Sequence, residues 1–300
     1  MKITVSIYNL EQLNNRISKL DFALLNIPKY SLLYEDLDLD AAISICKKNN
    51  KGYIIALNKI LHEGDLASYK DLIKKYKDSE CLFYVTDLGL ANILIKEGLE
   101  SRTIYNPETM IANYLDLSIY QDLGFNAMAM SEEITLSDLK LSYEKTKAPL
   151  FYLGFGYRMM FYSKRHLITT YQKKIGNTDI IENSYLKEEK RNDYYPVIEN
   201  NNGTMIFRSY LISLIPYFDE INFLKYFHLE SFRIDEDTFD NVLDLVYKLN
   251  NNIISKDFAI DSINEMNLNI QEGFIFNDSV YQKEVLKKWV NLNYLPLLEI

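Results

Sequence analysis

The stretch Ala148–Tyr171, APLFYLGFGYRMMFYSKRHLITTY, decides how the fold is read. Its apolar start, Pro149–Leu153, has the length and composition of a buried strand, and Gly154–Gly156 give a turn signal directly after it. Arg158, Lys164, Arg165 and His166 follow, interleaved with Tyr157, Phe161 and Tyr162. A buried strand that delivers cations and aromatic rings at its exit suits an anionic ligand or a nucleic acid. A strand end with solvated charges would give the same pattern, so the rest of the chain has to choose.

Working back from this stretch, six apolar runs precede it: Ile3–Tyr8, Phe22–Ile27, Gly52–Leu57, Cys81–Val85, Arg102–Tyr105 and Asn126–Met130. Each is followed by a segment at helical spacing, such as Asp65–Tyr76 with Leu66, Tyr69, Leu72 and Ile73 on one face. Short buried strands alternating with helices predict a parallel sheet covered by helices. Seven such units, with an eighth strand at Ile221–Tyr226, predict an α/β fold of TIM-like (β/α)8 barrel type, complete or irregular. No G-x-G-x-x-G or P-loop pattern follows any strand, which weighs against an open nucleotide-binding sheet.

Downstream, Tyr194–Ile198 and Thr204–Phe207 flank Asn200-Asn201-Asn202-Gly203, the turn chemistry of a hairpin. The expected organisation is one barrel domain over 1–250, with a β-rich insertion at about 172–208. Asp235–Leu249 reads as a helix capped by Asp235, with Phe239, Val242, Leu243 and Val246 inward. A tail, 251–300, is expected to pack on the barrel, with Gly273–Phe276 extended and Tyr281–Val290 amphipathic.

Composition narrows the function. The 300 residues carry 42 Asp and Glu against 33 Lys and Arg, a net charge of -9, which argues against non-specific coating of nucleic acid. A local basic mouth on an acidic body remains compatible with that balance. The two cysteines, Cys46 and Cys81, are far apart without a C-x-x-C, so no metal site of this chain alone is expected. Both read as buried thiols of a cytoplasmic protein. Met1–Tyr8 already has a strand pattern and no apolar run reaches about 18 residues, so neither a signal peptide nor a membrane helix is expected.

In a barrel of this kind the site lies at the strand C-termini. Those ends supply Asn58, Asp87, Asn106, Ser131, Glu132, Arg158 and, with the eighth strand, Glu230 and Arg233. Any one of them can equally be a helix cap or a loop polar residue. His166 alone among His62, His166 and His228 stands beside a cationic cluster, where it suits hydrogen bonding or proton transfer. His228, in an apolar run, reads as a satisfied core histidine. Glu132 with His166 is a conceivable acid–base pair.

These residues, taken together, resemble the collagenase-like peptidase family, family U-32. The family's glycine-bearing strand end and "YS-x-R" element have counterparts in Gly154, Gly156, Tyr162, Ser163 and Arg165. Ser131-Glu132-Glu133-Ile134-Thr135 is similar to its "S-x-E-x-T" segment. Tyr194–Val197 followed by Asn202–Phe207 resembles its "YP…G-T-x-I-F" hairpin, and His228–Arg233 falls where it carries a Glu/Arg strand end. Asn269–Tyr281, with Glu272-Gly273-Phe274 and Val280-Tyr281, resembles the tail of short tRNA-modifying members.

The resemblance implies a role in 5-hydroxylation of the wobble uridine of tRNA, with prephenate as a required metabolite. Peptidase action on collagen-like substrates, or a non-catalytic scaffold, are the rival readings. Many relatives hold an iron–sulfur cluster with four cysteines, which this chain lacks, so a cysteine-bearing paralogue is implied as a partner. On this reading Glu132, His166 and Glu230 are the catalytic candidates. Arg158, Tyr162, Lys164, Arg165, Arg233 and Asn106 would bind substrate, with Arg158 and Arg233 the candidates for holding a dicarboxylate.

Overall fold

A computed structural model describes residues 1–177, 183–187, 189–190 and 192–276 of the chain. Six short strands, β1 (Lys2–Ile7), β2 (Phe22–Leu25), β3 (Gly52–Leu57), β4 (Leu82–Val85), β5 (Thr103–Tyr105) and β6 (Ala127–Met128), lead to the long β7 (Phe151–Ser163). Helices α1 (Leu10–Arg16), α2 (Leu39–Lys48), α3 (Leu66–Tyr76), α4 (Leu88–Lys96), α5 (Tyr114–Asp122) and α6 (Leu136–Thr146) connect them. After α7 (Leu167–Lys174) comes an antiparallel arm of β8 (Asn183–Lys187), β9 (Tyr194–Asn200) and β10 (Gly203–Ser213). The chain then returns through β11 (Tyr226–Leu229), α8 (Glu236–Asn250), α9 (Lys256–Glu265) and β12 (Ile270–Gln271).

All these strands share one sheet, in the order β6-β5-β4-β3-β2-β1-β11-β7-β10-β9-β8, with β12 on β10. The eight strands from β6 to β7 in that order run parallel. Such strands are buried on both faces, which is why they read as unbroken apolar runs. One face carries Ile3, Val5, Ile55, Leu57, Phe83 and Val85 into the large core beneath the helices. The other forms a smaller cluster inside the curl, from Leu24, Ile54, Ala56, Ile104, Phe151 and Tyr226 among others. Phe239, Val242, Leu243 and Val246 of α8 are fully buried behind its Asp235 cap, which accepts from the Thr238 N–H at 2.9 Å.

Three expectations are corrected. The glycines of the opening stretch make no turn, because β7 runs straight through them. Gly154 lies flush against the Phe227 ring, where a Cβ would fall 2.1 Å from a ring carbon. Gly156, at φ +139°, sits beside a bulge where β7 slips relative to β11 between His228 and Leu229. The eighth strand begins at Tyr226 and not at Ile221, since pairing with Lys2 and Phe151 fixes where the ladder starts within a continuous apolar run. Gly273–Phe276 is a turn, not an extended segment. Tyr281–Val290 lies outside the described residues.

The parallel sheet is irregular, one of the two forms expected. It curls until β6 and β7 meet at one bridge, Met128 with Leu150, supported by the Met128 N–H to the Pro149 carbonyl at 3.0 Å. From Phe155 onward the edge of β7 opposite β11 is occupied by β10. Among the described residues β6 and the start of β7 are joined by this single bridge rather than by a ladder, and the arm is built into the sheet itself. Its hairpin tip is seated by buried Asn202, whose side-chain amide donates to the carbonyls of Ser31 and Leu32 at 2.9 Å each.

Gly203 closes this tip at φ +120°, and a Cβ there would lie 2.0 Å from the Ser163 carbonyl oxygen. Neither the strain nor the contact with backbone can be relieved by a rotamer change. Gly203→Ala is expected to cost at least about 1–3 kcal/mol in urea unfolding. Gly64→Ala, where a Cβ meets nothing within 4 Å, should stay within about 1 kcal/mol of the parent. Equal midpoints for all three proteins would show that the tip is not seated as described.

Candidate functional site

The C-terminal ends of the parallel strands surround a cavity of about 140 Å³. Tyr8 reaches it from the end of β1, Asn26 from β2, Asn58 from β3, Asn106 from β5, and His228 and Glu230 from β11. Glu132 follows β6, and Arg158 comes from the continuation of β7 past its glycines. The asparagines are partly committed: Asn58 Oδ1 accepts from the Leu32 N–H at 2.9 Å, and Asn106 bonds the Glu108 N–H and the Tyr84 hydroxyl.

Two carboxylates face this cavity in opposite states. Glu230 is fully coordinated: Oε1 accepts from the Tyr8 hydroxyl at 2.6 Å and the Phe232 N–H at 2.9 Å, and Oε2 accepts from the Ser6 hydroxyl at 2.7 Å. His228 stands 3.8 Å from it, with its ring nitrogens near Thr4 and Ser6 at 3.2 and 3.3 Å. Burial acts to raise the Glu230 pKa, but His228, Tyr8 and Ser6 outweigh it and hold the carboxyl below its ordinary value.

Glu132 is the reverse case. Its side chain is 27% exposed, yet Oε2 itself is buried and accepts no hydrogen bond. Arg158 Nε lies 3.1 Å from that oxygen without aligned geometry, while its Nη1 donates to the Glu132 carbonyl at 2.6 Å. Loss of water raises the Glu132 pKa against the opposing pull of Arg158. At the cavity rim Glu108 is exposed over much of its surface but crowded around its carboxyl. Its pKa is pushed up to about 7, first by lost solvation and then by the Glu132 charge. Arg158 is nearly buried, and Phe274 lies between it and Arg208, with guanidinium-to-ring distances of 5.9 and 4.6 Å.

Of the site candidates taken from the sequence, Asn58, Asn106, Glu132, Arg158 and Glu230 converge on the cavity. The others do not. Tyr162 donates its hydroxyl to the Asn202 carbonyl at 3.1 Å, and Lys164 pairs with Asp65 at 2.7 Å, so both fasten the arm. Arg165 is exposed, and its carbonyl accepts from Thr204. His166 precedes α7, with Nδ1 3.8 Å from Glu199, and it does not meet Glu132. Ser163 is five residues past Arg158, roughly 16 Å along an extended strand. Arg233 lines a separate hollow, so it and Arg158 do not form a pair in one cavity.

Sequence reasoning missed Tyr8, Asn26, Glu108 and the position of His228 beside Glu230. A signal for Asn26 was present: Leu24-Leu25-Asn26, Ala56-Leu57-Asn58 and Ile104-Tyr105-Asn106 end three strands with the same apolar–apolar–Asn triplet. Neither cysteine lines the cavity. Burial pushes the Cys46 thiol up to about 11 and raises that of Cys81 too, opposite to what a thiolate ligand needs. Among the described residues no three His, Cys, Asp or Glu side chains are placed to hold a metal ion. The two thiols, buried away from the cavity, do not make the ligand set of an iron–sulfur cluster there.

The two carboxylates predict opposite pH behaviour. Glu230 is lowered in the fold, so its contribution is present above the unfolded value of about 4.5 and lost as pH falls through the folded value. The stability deficit of Glu230→Gln should shrink below about pH 4. Glu132 is raised, so the relative stability it gives is present at low pH and lost as pH rises. Glu132→Gln should gain on the parent as pH rises above about 4. Urea midpoints measured from below about pH 4 up to neutral pH check both, and parallel pH profiles for the two variants would contradict the assignment.

Comparison with known proteins fits this architecture. The chain is 23% identical to "tRNA hydroxylation protein P2" of Bacillus subtilis (strain 168), a match covering 81% of this chain and 85% of that protein. Among solved structures, "The Structure of the U32 Peptidase Mk0906" superposes with a TM-score of 0.50 at 10% identity, over 77% of this chain and 92% of that one. No helix among the described residues is long and apolar enough to cross a membrane. The model of peptidase family U32 matches residues 32–281, and the chain belongs to that family.

Proposed function

We propose that the chain takes part in 5-hydroxylation of the wobble uridine of tRNA, with the cavity at the strand ends receiving the base. What carries this reading is the likeness to a tRNA hydroxylation protein over most of both chains. The cavity supports it by size and lining. About 140 Å³ is comparable to an internal cavity that takes one benzene-sized ring. Its polar wall of Asn26, Asn58, Asn106 and Glu132 offers both donors and acceptors to the edge of a heterocycle. A base inside a folded RNA loop reaches such a cavity by leaving its stack.

The residues around the cavity bind and orient. Arg158 is held by Glu132 and by the Phe274 ring, and Glu230 fixes Tyr8 at the wall. Since the chain's own thiols do not fit a cluster, the proposal includes a cysteine-bearing paralogue as partner for the redox chemistry. It also includes a small carboxylate such as prephenate as co-substrate. The reading implies a cytoplasmic protein.

Mass spectrometry of digested tRNA tests it. Deleting the gene should remove hydroxylated uridine, and the wild-type gene should restore it. Glu132→Gln, expressed at normal level, should restore less than about a tenth, since the acceptor it removes faces the base. An unchanged nucleoside profile in the deletion strain would overturn the proposal.

A further inference from the structure

Beside the cavity lies a larger hollow of about 560 Å³, and Tyr8 and Leu33 line both. The turn after β11 lines one side of it, and the residues Ile198–Asn201 of the β9–β10 hairpin another. Three observations there have no account in the fold. Ser231 is only 5% exposed, yet its hydroxyl has no hydrogen-bond partner. A buried hydroxyl left this way is costly unless something else fills the position. Arg233 adopts φ +55°, a left-handed conformation that disfavours a side chain. Its guanidinium rests 4.5 Å from the Tyr185 ring centre and, among the described residues, donates only to the Ser184 carbonyl, at 3.4 Å. No carboxylate among the described residues pairs with it.

The carboxylates lining the same hollow are already engaged. Glu35 accepts from Asn9 at 2.6 Å, and Glu236 accepts from Gln12 at 2.9 Å and pairs with Arg16. Glu199 accepts from the Ile168 and Thr169 N–H groups at the start of α7. The one guanidinium lining the hollow has no carboxylate partner among the described residues, and a single cation matches a ligand with a single negative charge. A phosphate monoester, with nearly two charges, would call for further cations. A flat guanidinium backed by a ring presents its N–H groups in the fork that phosphate oxygens accept.

We propose that this hollow binds the sugar–phosphate backbone of the RNA nucleotide next to the base in the cavity. Arg233 holds the phosphodiester and the Ser231 hydroxyl donates to a backbone oxygen. The proposal rests on reading the cavity as the site of an RNA base. A base drawn into the cavity leaves its neighbour outside, and the hollow adjoins the cavity across the shared residues Tyr8 and Leu33. Contacts of this kind position the strand and leave the choice of base to the cavity.

Fluorescence anisotropy with a labelled anticodon stem-loop carrying a wobble uridine tests it, using the full chain. The variants are Arg233→Ala, Arg233→Lys, Ser231→Ala and, as an exposed control on α2, Lys47→Ala. Arg233→Ala should weaken binding about tenfold and lower the salt slope by about one. Arg233→Lys should fall between, Ser231→Ala should weaken binding without changing the slope, and Lys47→Ala should match the parent. Unfolding midpoints equal to the parent's confirm that the variants are folded. Binding by the parent with Arg233→Ala equal in affinity and slope overturns the hollow's assignment and leaves the cavity reading standing. No binding of the stem-loop by the parent overturns both, and capture of a labelled acidic peptide through Arg233 would then make the hollow a peptide site.

Discussion

Strand β7 carries two obligations at once, and the glycines in its middle let it meet both. Below Gly154 it is one stave of a parallel sheet, packed between β11 and the end of β6. Above Gly156 it is the first strand of an antiparallel arm, paired with β10 as far as Ser163. The Phe227 ring occupies the space a side chain at Gly154 would need, and the adjoining slip resets which backbone groups face which neighbour. The continuation brings Arg158 to the cavity mouth. A true turn at these glycines would have separated the arm from the sheet and removed Arg158 from the cavity.

The mouth that results is electrostatically uneven. On one side Glu230 has its oxygens filled by donors from β1 and from its own turn, so it stiffens the wall. On the other side Glu132 has one buried oxygen that, among the described residues, accepts no hydrogen bond and is met only by the charge of Arg158, 3.1 Å away. In a poorly solvated cavity an open acceptor is where an incoming donor gains most, because water has not already satisfied it. Rigid support and unmet demand, supplied by two residues of the same type, are what a selective cavity requires.

Much of this was legible in the chain. The first six strands and the long α8 follow from apolar run length, helical spacing and an Asp cap, all local signals. Glu132, Arg158, Asn106 and Glu230 came from one rule, that such sheets gather their polar groups at strand ends. The path of β7 was not legible, because a glycine pair signals a turn and a close backbone approach equally well, and the Phe227 ring that distinguishes them is 73 residues away. Likewise Lys164 and Arg165 look like ligand cations in sequence, but what Lys164 meets is Asp65. The start of β11 depended on register with two strands distant in sequence.

The pairing of β1 with β11 has a consequence for how the protein is made. Lys2 lies against Tyr226, so during synthesis β1 waits for a partner 224 residues further along the chain. At roughly 5–20 residues per second that interval is about 10–45 s. Throughout it β1 exposes one free edge, and its inward Thr4 and Ser6 await His228 and Glu230. The hydroxyls that brace the cavity in the folded protein are therefore satisfied only once β11 has been made.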